Sequence, residues 1–151
     1  MASDFDKYAA KGNEFLNLLK DDLQVPAEKA SRILRAVLHG LRNHLSIQES
    51  MQLLAQLPMA LKGIYVDQWD ISKTTPRIHH LSGFLEEIRN IDKGLAGYDF
   101  GNDENAARVV KAVFRTMAMY VSGGELENII GMLPREIQQF MRESVSSTRM
   151  V

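Results

Sequence analysis

The stretch from Glu28 to Val66 reads nearly the same as the stretch from Glu104 to Arg142, at a constant offset of 76 residues and without a gap. Nine of the 39 aligned positions are identical: Glu28/Glu104, Ala30/Ala106, Arg32/Arg108, Ala36/Ala112, Val37/Val113, Ser46/Ser122, Glu49/Glu125, Leu57/Leu133 and Pro58/Pro134. Others keep their chemistry, among them Leu38/Phe114, Leu53/Ile129 and Ile64/Phe140. Self-similarity at a fixed period constrains architecture, because each unit must bury its apolar face against something. It carries no statement about chemistry.

Almost every segment has a helical period. Ser3 with Asp6 three residues on resembles a capping box, followed by an apolar stripe of Phe5, Tyr8, Phe15, Leu16 and Leu19 to about Leu23. Pro26 then opens a second helix, roughly Ala27 to Leu45, where Ile33, Leu34, Val37, Leu38, Leu41 and Leu45 share one side. Val109, Val110, Val113, Phe114, Met117 and Val121 repeat that stripe. Both copies continue with Ser-x-x-Glu (Ser46 to Glu49, Ser122 to Glu125), in which the hydroxyl caps a third helix and the Glu reaches back to the Ser N–H. Leu57-Pro58 and Leu133-Pro134 end that helix and start a fourth, since proline disfavours an α conformation in the residue before it.

The first helix has a counterpart in Leu81 to Ile88, which aligns Phe15-Leu16 with Phe84-Leu85 at an offset of 69. The seven extra residues of the second unit fall in the glycine-rich segment 93–102, which reads as a loop. The expected fold is therefore all-α. Eight helices form two tandem four-helix repeats, about 4–69 and 77–145, joined by a linker at about 70–76 and packed into one bundle-like domain spanning 1–151. Two loosely joined lobes are the alternative. The short linker, and the small core that ~70 residues can bury alone, favour a shared interior. The tail from Ser144 to Val151 is expected to fray.

Bulk composition narrows the function classes. There is no cysteine, which excludes disulfides, thiolate nucleophiles and thiolate metal sites. The opening MASDFDKYAAKG lacks a basic segment followed by an apolar one, and no apolar run approaches the ~20 residues that cross a bilayer. A cytoplasmic protein with no membrane contact is the expectation. Formal net charge is −1, spread evenly over both halves, which counts against general nucleic-acid binding.

The doubled pattern of Arg32 to Leu38 with Ser46, Glu49, Leu57 and Pro58, then Arg108 to Phe114 with Ser122, Glu125, Leu133 and Pro134, resembles the bacterial "domain of unknown function" family number 2267. The segments AQLPMALKG and AGYDFG add to the likeness, which spans roughly Asp4 to Met141. The resemblance implies an all-helical, repeat-built prokaryotic protein and no catalytic residue, cofactor or substrate. Gly123-Gly124 inside the second capping box departs from the first copy and weakens the first turn there.

Residue by residue, the basic stripe is the leading candidate surface. Arg32, Arg35, His39 and Arg42 lie opposite the apolar side of their helix, echoed by Arg108, Lys111 and Arg115. Paired across two copies, such stripes suit an anionic partner. The simpler reading is a solvated face, with Glu28 and Glu104 each four residues before an arginine, in the favourable orientation for an intrahelical pair. Tyr65 and the lone Trp69 close the fourth helix, either as a contact anchor or, more in keeping with burial habits, as the edge of the core. His39 and His44 are five apart and diverge, as do His79 and His80, so no metal site follows from spacing. Asp99-Phe-Gly lacks every companion motif of a kinase, and Asp99 to Asp103 lacks a twelve-residue calcium loop. Asn102 or Asp103 as the N-cap of the next helix explains that cluster better. No catalytic, cofactor-binding or metal residues are assigned and no cofactor is expected. The favoured function is a non-enzymatic interaction module with a protein partner, ahead of a small-molecule or metal site between the repeats (His79, His80, Asp99, Asp103), and of nucleic acid. Oligomeric state is not assigned.

Overall fold

The computed structural model describes residues 3–73 and 75–149, with side chains through residue 146. Among these residues it is all helix: α1 (Asp4–Leu23), α2 (Ala27–Arg42), α3 (Ile47–Gln56), α4 (Met59–Val66), α5 (Leu81–Ile91), α6 (Ala96–Asp99), α7 (Asp103–Ala118), α8 (Gly123–Met132) and α9 (Arg135–Arg149). No helix is long and apolar enough to cross a membrane among the described residues.

That makes nine helices where eight are expected. The addition is α6, one turn preceded by a 3₁₀ turn at Lys93–Leu95, inside the glycine-rich segment read as a loop. Turn-forming glycines at 94, 97 and 101 mask a helix too short to show a period; Gly101 ends it at φ +67°, where a side chain would be strained. The tail expected to fray is helical to Arg149, and its first residues, Ser144 and Val145, are buried rather than loose. Residues 150 and 151 of that tail lie outside the described residues.

Local chemistry accounts for the ends. Ser3 and Asp6 form the full capping box at α1. Ser46 and Ser122 each accept from the N–H three residues on, at 3.1 and 3.2 Å, and Asn102 does the same for α7 at 2.9 Å. The boxes at α3 and α8 are only half built, because Glu49 and Glu125 do not return a bond to their serines. Leu57 and Leu133 are the buried corners that their prolines impose.

Packing is reciprocal between the two halves of the chain. The segment after α2 lays the His44 ring edge-on to Phe84 of α5, with centroids 5.7 Å apart, and joins Nε2 to the Glu87 carboxylate at 2.6 Å. At the aligned position after α7, Tyr120 packs its ring tilted against Phe15 of α1, with centroids 5.1 Å apart, and donates its hydroxyl to Glu14 at 2.9 Å. Each half thus closes over the other's first helix. Phe15, Leu38, Phe84, Phe114 and Ile129 are all fully buried in one apolar cluster drawn from both halves.

Close approach is tightest where α1 meets α4: a Cβ on Gly12 would sit 2.6 Å from that of Ala60. Neither atom can rotate away, so Gly12→Ala must push two helix backbones apart, at about 1–3 kcal/mol. Gly63, in α4 with nothing within 4 Å of an added Cβ, is the control. Gly63→Ala is expected to leave stability unchanged or raise it by up to ~1 kcal/mol. Urea denaturation of the two variants checks the contrast.

Candidate functional site

The first basic stripe is not a solvated face. Arg32 turns away from Glu28 and grips Asp99 with Nε and Nη2, at 2.8 and 2.9 Å. Arg35 pairs with Asp67. His39 and Arg42 are buried, and both serve the C-terminal end of α4. The His39 Nε2 donates to the carbonyl of Ile64 at 2.7 Å, and Arg42 Nη1 donates to those of Tyr65 and Asp67 at 2.6 and 3.2 Å. These are the orphan carbonyls that a helix end leaves, and cations suit that end of the dipole.

Tyr65 and Trp69 belong to the same knot. Tyr65 is fully buried and shares a 2.6 Å hydrogen bond with the Ser50 hydroxyl; Trp69 meets it edge-on at 5.7 Å. The Arg42 guanidinium stands 5.6 Å from the Trp69 ring centre. Trp69 therefore seals a core edge, half-buried, with Arg42 over its ring.

The second stripe differs, for a reason visible in helix length. Aligned with Val66, where α4 stops, is Arg142, inside the continuing helix α9. The equivalent carbonyls already have helical partners, and the position of Arg42 is taken by Ala118. Arg108 reaches only the Asn105 amide oxygen, at 3.1 and 3.3 Å, rather than Glu104. Lys111 lies 3.7 Å from Glu143 on α9, and Arg115 bonds Asp22 at the end of α1 at 3.0–3.3 Å. Together with Asn102, Glu104, Asn105 and Ala107 these three cations line an open groove of about 710 Å³. Glu104 and Asn105 lie one turn before Arg108, so extending the period toward the helix start would have found those two; Asn102 and Ala107 carry no such signal.

The two stripes do not share a groove: every residue lining this one comes from the start of α7 or α7 itself. The candidates at the other loops are also occupied. His80 Nδ1 meets Glu136 Oε2 at 2.7 Å, and Glu136 Oε1 accepts the Leu81 N–H at 3.0 Å, so a carboxylate from α9 caps α5. His79 is exposed beside it. Asp103 pairs with Arg89. No three His, Asp or Glu side chains converge to hold a metal among the described residues.

Asp99 is fully buried, and its neighbour Asp92 was not singled out from sequence. Burial works to raise Asp99, but hydrogen bonds from Arg32 and Asp92 outweigh it and keep its carboxyl below the usual range. Asp92 moves the other way, pushed up to about 7 by burial, then by its hydrogen bond to Asp99 and the charge there. Near neutrality this leaves Arg32 and Asp99 ionised and Asp92 holding a proton for much of the time, with the Asp92 Oδ2 buried and without a hydrogen-bond partner.

Two expectations separate structural cations from available ones. Arg42→Ala orphans two carbonyls and should cost about 2–4 kcal/mol, whereas Arg108→Ala, at an exposed site, should stay within about 0.5 kcal/mol; denaturant midpoints decide. His39 carries the pH signature. Burial lowers its pKa, helped by Arg42 and Arg35 and opposed by the Ile64 carbonyl, so the fold favours the neutral ring. Stability from this group is complete above the unfolded value of about 6.5 and is lost as pH falls through the folded one. His39→Gln keeps a donor for Ile64, and its melting temperature should fall less than wild type between pH 7.5 and 5.

The α7 groove and the knot at the end of α4 lie within a segment with known counterparts. A family model described as "Uncharacterized conserved protein (DUF2267)" matches residues 12–140, from the glycine packed on Ala60 to Phe140 of α9. No curated protein matches. With most of its length covered by that match, the chain belongs to the DUF2267 family of uncharacterised conserved proteins.

Proposed function

We propose that the chain is a duplicated four-helix unit, folded as a single domain, whose second copy presents the groove on α7 to an acidic segment of a protein partner. The reading is a non-enzymatic interaction module. One contrast carries it: in the first copy His39 and Arg42 are buried on the end of α4 and Arg32 grips Asp99, whereas in the second the aligned cations, though they meet Asn105, Glu143 and Asp22, line an open groove. Exposed ion pairs such as Lys111 with Glu143 contribute only about 0–1 kcal/mol, so an incoming carboxylate displaces them cheaply. Asn102 and Asn105 add amide groups on the turn below, and Ala107 with the aliphatic stems of the cations supplies apolar floor. A backbone of phosphates needs a longer cationic track than three residues in a chain of net charge −1.

Selection of random displayed peptides on the intact protein tests this. Enriched peptides should be rich in Asp and Glu. They should lose about ten-fold or more in affinity for Arg108→Ala/Lys111→Ala/Arg115→Ala, a change of about 1.4 kcal/mol. The triple variant should still melt as one transition. Peptides without carboxylates, undiminished binding to the variant, or preference for single-stranded DNA over the peptides would refute the assignment.

A further inference from the structure

α3 packs on α8, and these are the two helices that begin with the aligned Ser-x-x-Glu. Their glutamates, at equivalent positions of the two similar stretches, are turned into that contact. Glu125 is 8% exposed. Its Oε1 and the Oε2 of Glu49 are both shut off from solvent with no donor to satisfy them. Two ionised carboxylates offer each other only lone pairs, and repel. One proton between them turns the same contact into a short, strong hydrogen bond.

Among the described residues neither carboxylate has an ion-pair partner. On α9, the other helix packed against α8, Arg142 is committed to Glu127 at 2.8–2.9 Å, Glu136 to His80, Glu143 lies by Lys111, and Arg135 is exposed. On the α3 side, Ser50 and Tyr65 hydrogen-bond one another. Gln56 gives its Oε1 to the Ser122 N–H at 2.6 Å, a neutral contact that ties the end of α3 to the start of α8. Burial raises the Glu125 carboxyl, Asn128 opposes this, and the charge and hydrogen bond of Glu49 raise it further.

We propose that Glu49 and Glu125 share one proton across the α3–α8 contact and so form a pH-sensitive clasp between the two halves of the chain. With the proton in place the clasp is closed; when Glu125 gives it up, the two carboxylates repel and the clasp loosens. A group whose folded value is raised stabilises the fold below its unfolded pKa, and that contribution disappears as pH climbs through the folded value. The clasp therefore favours a tight molecule in mild acid and a looser α3–α8 contact on the alkaline side.

Melting of the intact chain from pH 4.5 to 8.5, for wild type, Glu125→Gln and Glu49→Gln, tests it. Glutamine supplies the donor permanently. Each variant should match wild type at the acid end and melt roughly 3 °C or more above it at the alkaline end. Amide exchange in α3 and α8 of the wild type should quicken over the same range. Either variant suffices if the other does not fold. A variant-minus-wild-type difference that does not change with pH overturns the proposal. So does a rise in wild-type melting temperature at pH 8.5 with about 1 mM calcium or magnesium that Glu125→Gln abolishes, because a cation would then hold the pair.

Discussion

The crossed contact between halves is what the rest of this structure depends on. His44 lies on Phe84 and bonds Glu87, while Tyr120 lies on Phe15 and bonds Glu14. Neither α2 nor α7 finishes its apolar stripe on helices of its own half. Buried Phe15 and Phe84 are the two keystones, and both are reached from across the chain. Once that exchange is made, α3 and α8 are brought together, and equivalent side chains such as Glu49 and Glu125 face one another.

Two stretches of similar sequence present different surfaces here because their surroundings differ. Ending α4 at Val66 exposed carbonyls that His39 and Arg42 now serve. Because α9 continues past the aligned position, no orphan carbonyl needs an arginine there, and Ala118 stands at the position aligned with Arg42. A difference of helix length thus decided which basic face is structural. Arg32 shows the same logic: its partner Asp99 sits in the segment of α6, which has no aligned counterpart between α1 and α2.

Much of the fold was legible because its signals are local. Ser46, Ser122 and Asn102 cap where their spacing places them, and Leu57 and Leu133 turn inward where proline forces a corner. Partners were not legible. Arg32 and Asp99 are 67 residues apart, and nothing near either one indicates the other, whereas Glu28 lay in plain view one turn away. The burial of His39 and Arg42 was hidden for a related reason, since helical period separates faces but does not say what lies against the polar one. At α7 the groove's cations were readable from spacing, and its openness was not.

Chain separation has a further consequence, for synthesis on the ribosome. The Tyr120 hydroxyl closes on Glu14 across 106 residues of sequence, and Arg115 reaches Asp22 across 93. At a translation speed of about 5–20 residues per second, α2 and α4 can settle on α1 within seconds, but the face of α1 that meets α7 waits on the order of 5–20 s for its cover.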